Sequence, residues 1–214
     1  MKSAQQIYTD YKIMPTLQLH QLRVASVAKL ICDNFDEKLD TESVVLACLF
    51  HDMANIIKSE LERFPDFLQP AGLEYWKSVK ADYLNKYGPD EHVATVVIAR
   101  GISLPDSAVS LLKRIGFSNL DKTDTEGTFE NKICSYADMR VGPYGVISIE
   151  ERLSEGRKRY EGRKHFITSD TFEPLSAHLR NIEKDIFTKT SIKPEEIDDE
   201  KIKETPETLR GVKF

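Results

Sequence analysis

Two imidazoles and two carboxylates stand out as groups able to do chemistry together: His20, His51, Asp52 and Asp138. His51 and Asp52 are adjacent and directly follow the apolar run Val44-Val45-Leu46-Ala47-Cys48-Leu49-Phe50. Asp138 lies in Ile133-Cys134-Ser135-Tyr136-Ala137-Asp138-Met139. An ionised carboxylate among apolar neighbours is costly unless it is paired or binds a cation. One divalent metal answers both cases, because it accepts neutral imidazoles and carboxylates alike. The mixed nitrogen and oxygen set suits Mn, Fe, Co, Ni or Zn better than Ca. With four protein ligands, an octahedral ion keeps open positions where a water can lose its proton near neutral pH and become a nucleophile.

Neighbouring side chains on a helix point about 100° apart. His51 and Asp52 therefore reach one ion only where other helices converge on it, and His20 and Asp138 can supply those helices. Arg23 stands three residues after His20, on nearly the same face, so it is a candidate contact for an anionic ligand. Asn55 and Lys58 lie one and two turns past His51 and are candidates for the same task. His92 opens the run His92-Val93-Ala94-Thr95-Val96-Val97 and is a further candidate, as a substrate contact or proton carrier.

The elements that must position these groups read as helices. After Pro15-Thr16, the apolar residues Leu17, Leu19, Val24, Val27, Ala28 and Ile31 recur at helical spacing, up to about Asp33-Asn34. Thr41 caps a second helix, which is apolar all round and therefore central. Further helices are predicted over 71–86, from Gly88-Pro89-Asp90 to Arg100, from Pro105-Asp106 to Gly116, over 131–140, and near 147–163 and 171–187. Residues 117–129 read as a polar loop. Period-two alternation is nearly absent, so the class is all-α. The reading divides the chain into a domain over 1–187 and a charged tail or lightly packed appendage over 188–214.

Composition narrows the function classes. The 214 residues suit one domain. The charges are 30 basic and 35 acidic, giving a formal net charge of −5 with the signs well mixed, which argues against a general nucleic-acid binder. Cys32, Cys48 and Cys134 are far apart in the chain, and each sits in an apolar run, as buried free thiols of a reducing compartment do. No apolar run approaches the ~20 residues of a membrane span, and the polar start lacks a signal-peptide core, so the expectation is a cytoplasmic protein without a membrane partner. Glycine fingerprints of dinucleotide or P-loop folds and a nucleophile elbow are missing.

His20 with Arg23-Val24-Ala25, then Phe50-His51-Asp52-Met53-Ala54, then Tyr136-Ala137-Asp138-Met139-Arg140, resembles the H…HD…D signature of the HD superfamily. The resemblance spans about residues 16–165. It implies an HD-domain helical bundle with one metal held between core helices by His20, His51, Asp52 and Asp138. It also implies phosphohydrolase chemistry on a small phosphorylated substrate such as a nucleotide. Asp52 and His92 are the candidates for proton transfer there, and Arg23, Asn55 and Lys58 for substrate contact. Many family members carry a lysine four residues after the histidine; this chain has Asn55, with Lys58 as a substitute. A catalytically silent metal- or nucleotide-sensing module is the alternative. The di-iron members carry more histidines in the 53–137 region than the single His92 found here. Arg140 points to another face and reads as structural, and His165 and His178 as surface residues. Arg157 and Arg163, in a locally basic run at 156–166, read as one solvated helix face.

Overall fold

The computed structural model describes residues 2–160 and 169–213; Arg163 and His165 lie outside them. Among the described residues there are eleven α-helices, short 3₁₀ turns and three isolated β-bridges, with no strand. The all-α class follows directly.

The central pair is α2 (Pro15–Asp33) and α3 (Thr41–Phe50). Proline at the first position of α2 fits because that N–H has no helical partner to lose. Asp40, rather than Thr41, caps α3, accepting the Ser43 backbone N–H at 3.1 Å. Every residue of α3 from Ser43 to Phe50 is buried, as a helix apolar on all sides requires. α4 (Leu73–Tyr87), α5 (Glu91–Gly101) and α6 (Asp106–Leu112) follow. Then come α7 (Leu120–Glu126), α8 (Phe129–Met139), α9 (Ile149–Tyr160), α10 (Ser169–Phe187) and α11 (Thr205–Arg210). α3 packs against α2, α6 and α8, and α2 against α3, α8 and α11.

Three features depart from the sequence reading. Residues 117–129 are not a loop: they hold a 3₁₀ turn at Phe117–Asn119 and then α7, which packs Leu120 and Thr123 against the bundle. The polar start contains α1 (Ala4–Asp10), held by a capping box in which Ser3 and Gln6 satisfy each other's backbone N–H groups. The described part of the charged C-terminal segment, 188–213, is seated on the bundle instead of being lightly packed. Ile197, Ile202 and Leu209 are each at most 3% exposed. Asp36 N–H donates to Lys189 O (2.8 Å) and Ala4 N–H to Val212 O (3.1 Å), so both ends of the segment are tied to the first half of the chain.

Arg140, buried just past α8, makes the largest single tie. It donates to Ile147 O (2.5 Å), Tyr136 Oη (2.7 Å), Pro194 O (3.1 Å) and Ile197 O (2.8 Å). Four acceptors for one guanidinium explain how a charge can stay in the interior. His178 is not a free surface residue: its Nδ1 meets Asp124 Oδ2 at 2.7 Å and joins α10 to α7. Arg157 pairs with Glu173 and lies over the Phe172 ring at 5.3 Å from its centroid. The three cysteines are free and buried. No helix among the described residues is long and apolar enough to cross a membrane.

Candidate metal centre

His20 comes from α2, His51 from the C-terminal end of α3, Asp52 from the turn that follows, and Asp138 from the last turn of α8. The packing of α2, α3 and α8 brings the four together. Nε2 of His20 stands 3.2 Å from Asp138 Oδ1, and Nε2 of His51 stands 3.4 Å from the same oxygen and 3.8 Å from Asp52 Oδ2. The ligand atoms of His20, His51 and Asp52 all lie within 4.8 Å of one another. Atoms bound about 2.1 Å from one ion stand about 3–4 Å apart, so this spacing fits a shared cation.

His51 carries the strongest test of that fit. Its Nδ1 bonds Cys48 O at 2.8 Å; since a carbonyl only accepts, Nδ1 holds the proton. In the neutral ring Nε2 is then a bare lone pair. It is buried and has no hydrogen-bond partner, and it faces two carboxylates. An imidazole oriented by a backbone carbonyl, with its other nitrogen exposed to a carboxylate pair, is the arrangement that metal-binding histidines show.

The electrostatics agree. Burial lowers the pKa of His51, but Asp52 and Asp138 outweigh it and raise it to about 9. Burial raises Asp138, yet the imidazoles of His20 and His51 beside it hold it well below the usual carboxylate range. Asp52 is likewise lowered, against its burial, by His51, Lys58 and His20. Two carboxylates kept ionised in the interior make a site that favours positive charge, whether a proton on His51 or a metal in its place.

The model of the HD domain family matches residues 18–114, a stretch that includes His20, His51, Asp52 and His92. Over that stretch the chain is similar to HD domains. HD domains are mostly metal-dependent hydrolases, and the His20, His51 and Asp52 cluster fits a divalent ion. No curated protein and no solved structure matches the chain. The matched stretch ends before Asp138, which the fold joins to it by contact with the imidazoles of His20 and His51.

A cavity of about 1070 Å³ opens over this centre. Asn55 lines it and donates from Nδ2 to Asp52 Oδ2 at 2.8 Å, so its side chain is spent on orienting Asp52. Lys58 also lines it, pairing with Glu91 at 3.2 Å; burial lowers its pKa, but Asp52 and Glu91 raise it more, so it stays charged. His92 sits at the rim with 58% of its side chain exposed, 3.5 Å from Glu91.

Arg23 is corrected. It does not line the cavity; its Nε pairs with Asp199 Oδ1 at 3.3 Å. Three residues along a helix is about 60° short of a full turn, enough to carry Arg23 from the His20 face toward the C-terminal segment.

Residues invisible to the sequence reading complete the centre. Gln21, fully buried, accepts the Asp52 backbone N–H through Oε1 at 3.2 Å, and Thr95 Oγ1 accepts that of Ala54 at 3.2 Å. Both fix the turn after His51. Nothing in the order of residues marks Gln21, whereas Glu91 carried one signal, its place beside His92.

Proposed function

We propose that the chain is a metal-dependent phosphohydrolase that holds one divalent ion with His20, His51, Asp52 and Asp138 and acts on a nucleotide or another small phosphate ester. The observation that carries this reading is the buried, unpartnered Nε2 of His51, facing two ionised carboxylates with its tautomer set by Cys48 O. A metal held there supplies a Lewis acid that polarises a phosphoryl oxygen and acidifies water. The chain's own groups supply the rest. Cys48 O keeps the His51 ring oriented, and Asn55 keeps Asp52 Oδ2 from rotating away. Lys58 brings to the cavity the positive charge that phosphate oxygens need. Asp52 and His92 are the proton carriers; the half-exposed ring of His92 can exchange its proton with solvent and serve the leaving group. Phe64, Phe67 and Tyr144 present aromatic surface to the same cavity, suited to a planar body such as a base.

The test is elemental analysis of the purified protein and of His51→Ala, beside turnover of p-nitrophenyl phosphate with added Mn or Co. The reading expects one bound metal and turnover in the parent and neither in the variant. Metal without turnover supports a second reading, a silent metal- or nucleotide-sensing module. Asn55, spent on Asp52 where many HD domains carry a lysine, favours that reading. Absence of metal from the parent protein rejects the hydrolase and the metal-sensing readings and leaves only a nucleotide-binding module.

A further inference from the structure

The cations of the large cavity are mostly spent on carboxylates. Lys58 is paired with Glu91 and Arg63 with Glu60. Arg152, on α9, differs. Only 16% of its side chain is exposed, and Nη1 donates to Glu155 Oε2 at 2.7 Å. Its Nε–H is buried and has no hydrogen-bond partner, although the residue lines the cavity that opens over His20, His51, Asp52 and Asp138. A buried N–H on a charged group is costly to leave unsatisfied. Lys158, on the same helix and in the same cavity wall, forms no ion pair among the described residues. Among the described residues, the α9 wall therefore holds one buried donor and one cation beyond what the carboxylates use. The volume, about 1070 Å³, matches the upper end of ligand pockets and exceeds what a bare phosphate fills.

We infer that Arg152 is a specificity-determining contact whose guanidinium donates to a second anionic group of the substrate, separate from the phosphate at the metal centre. The ligand is a doubly anionic ester: one oxyanion at the four-residue centre, and another, phosphate or carboxylate, against α9 with Lys158 as its neighbour. A guanidinium suits either oxyanion, since both offer oxygens to its N–H groups. The inference rests on the phosphohydrolase reading for its choice of probes, while its readout is binding.

The test measures dissociation constants calorimetrically for three probes: adenosine 5′-monophosphate, adenosine 3′,5′-bisphosphate and adenylosuccinate, which adds carboxylates instead of a second phosphate. The parent protein, Arg152→Ala and Arg152→Lys are compared, with metal content and melting temperature recorded for each. The parent is expected to bind at least one of the two richer anions about tenfold or more tighter than the monophosphate. Arg152→Ala abolishes that preference and leaves monophosphate affinity within about twofold; Arg152→Lys, which keeps the charge, restores part of it. Which richer probe is preferred identifies phosphate or carboxylate as the second group. Equal affinity of the parent for all three probes, absence of binding included, overturns the inference, as does a preference that survives in Arg152→Ala or an equal loss for every probe. A parent protein without metal that still shows the Arg152-dependent preference separates the failure of the hydrolase reading from that of the second anion site.

Discussion

Asn55→Ala isolates how much of the metal affinity comes from orienting a ligand instead of supplying one. Asn55 Nδ2 donates to Asp52 Oδ2 at 2.8 Å. The backbone of Asp52 stays fixed by Gln21 in the variant, so the change frees only the carboxylate. Ser59 Oγ loses Asn55 Oδ1 but keeps Asn55 O at 3.0 Å, so the turn survives. A hydrogen bond to a charged group contributes about 1.5–3 kcal/mol. Each 1.4 kcal/mol is tenfold in a binding constant, which gives a loss of roughly 10–100-fold in metal affinity. Outer partners of metal ligands generally cost about the same, 10–100-fold. The assay is competition with a chelating dye, with Co or Zn as the probe, on the parent, Asn55→Ala and His51→Ala. The expected order is parent tightest, Asn55→Ala weaker by that factor and His51→Ala weakest, with Asn55→Ala melting close to the parent when metal-free. An Asn55→Ala affinity within twofold of the parent, beside a large His51→Ala loss, would show that Asp52 does not ligate the ion and would refute the four-ligand geometry.

The other expectations are shorter. In the metal-free protein His51 carries a proton up to a pKa of about 9, and a metal needs the neutral ring, so binding near pH 7.5 should release about one proton and weaken as pH falls; calorimetry in buffers of different ionisation enthalpy reads this, and pH-independent affinity between pH 6 and 8 contradicts it. The same raised pKa means that the charged form stabilises the metal-free fold fully below pH 6.5 and is lost as pH rises through about 9, so the melting temperature of metal-free protein should fall across that window; a flat or rising profile counts against it. Arg140→Met strands Pro194 O, Ile197 O and Ile147 O together and should cost about 3 kcal/mol or more in urea unfolding, with metal affinity falling too because Asp138 is two residues away. Arg23→Ala should leave metal affinity and turnover within about twofold and cost less than about 1 kcal/mol, since its partner Asp199 is half exposed; a collapse of turnover would return Arg23 to the substrate.

The clustering of His20, His51, Asp52 and Asp138 was legible because these residues violate the pattern around them. A charged pair closing an all-apolar helix, and an aspartate inside Ile133–Met139, each demand a partner, and α2, α3 and α8 meet where that demand is answered. The helices carrying apolar residues at regular spacing were legible for the same reason. α1 and α11 were not, because Ile7 with Tyr8 and Leu209 are single apolar anchors in polar stretches, too few to show a period. The charge of 188–213 concealed Ile197 and Ile202, which are buried one at a time. Orientation within a face was the other loss. Spacing puts Arg23 near His20 but does not reveal that Asp199 lies 3.3 Å away. Nor does spacing bring Arg152 and the Phe64, Phe67 and Tyr144 rings into one cavity, because that requires the path of the loops.

Arg140 hands residues 194–197 a hold on the four-residue cluster. Asp138 is synthesised well before Pro194 and Ile197, whose carbonyls grip the neighbouring arginine. A chain that has made all four of these residues but not yet 194–197 lacks that clamp, and so does a product cut before Pro194. Damage at 194–197 is then felt beside Asp138 through Arg140, although neither carbonyl belongs to the four-residue cluster.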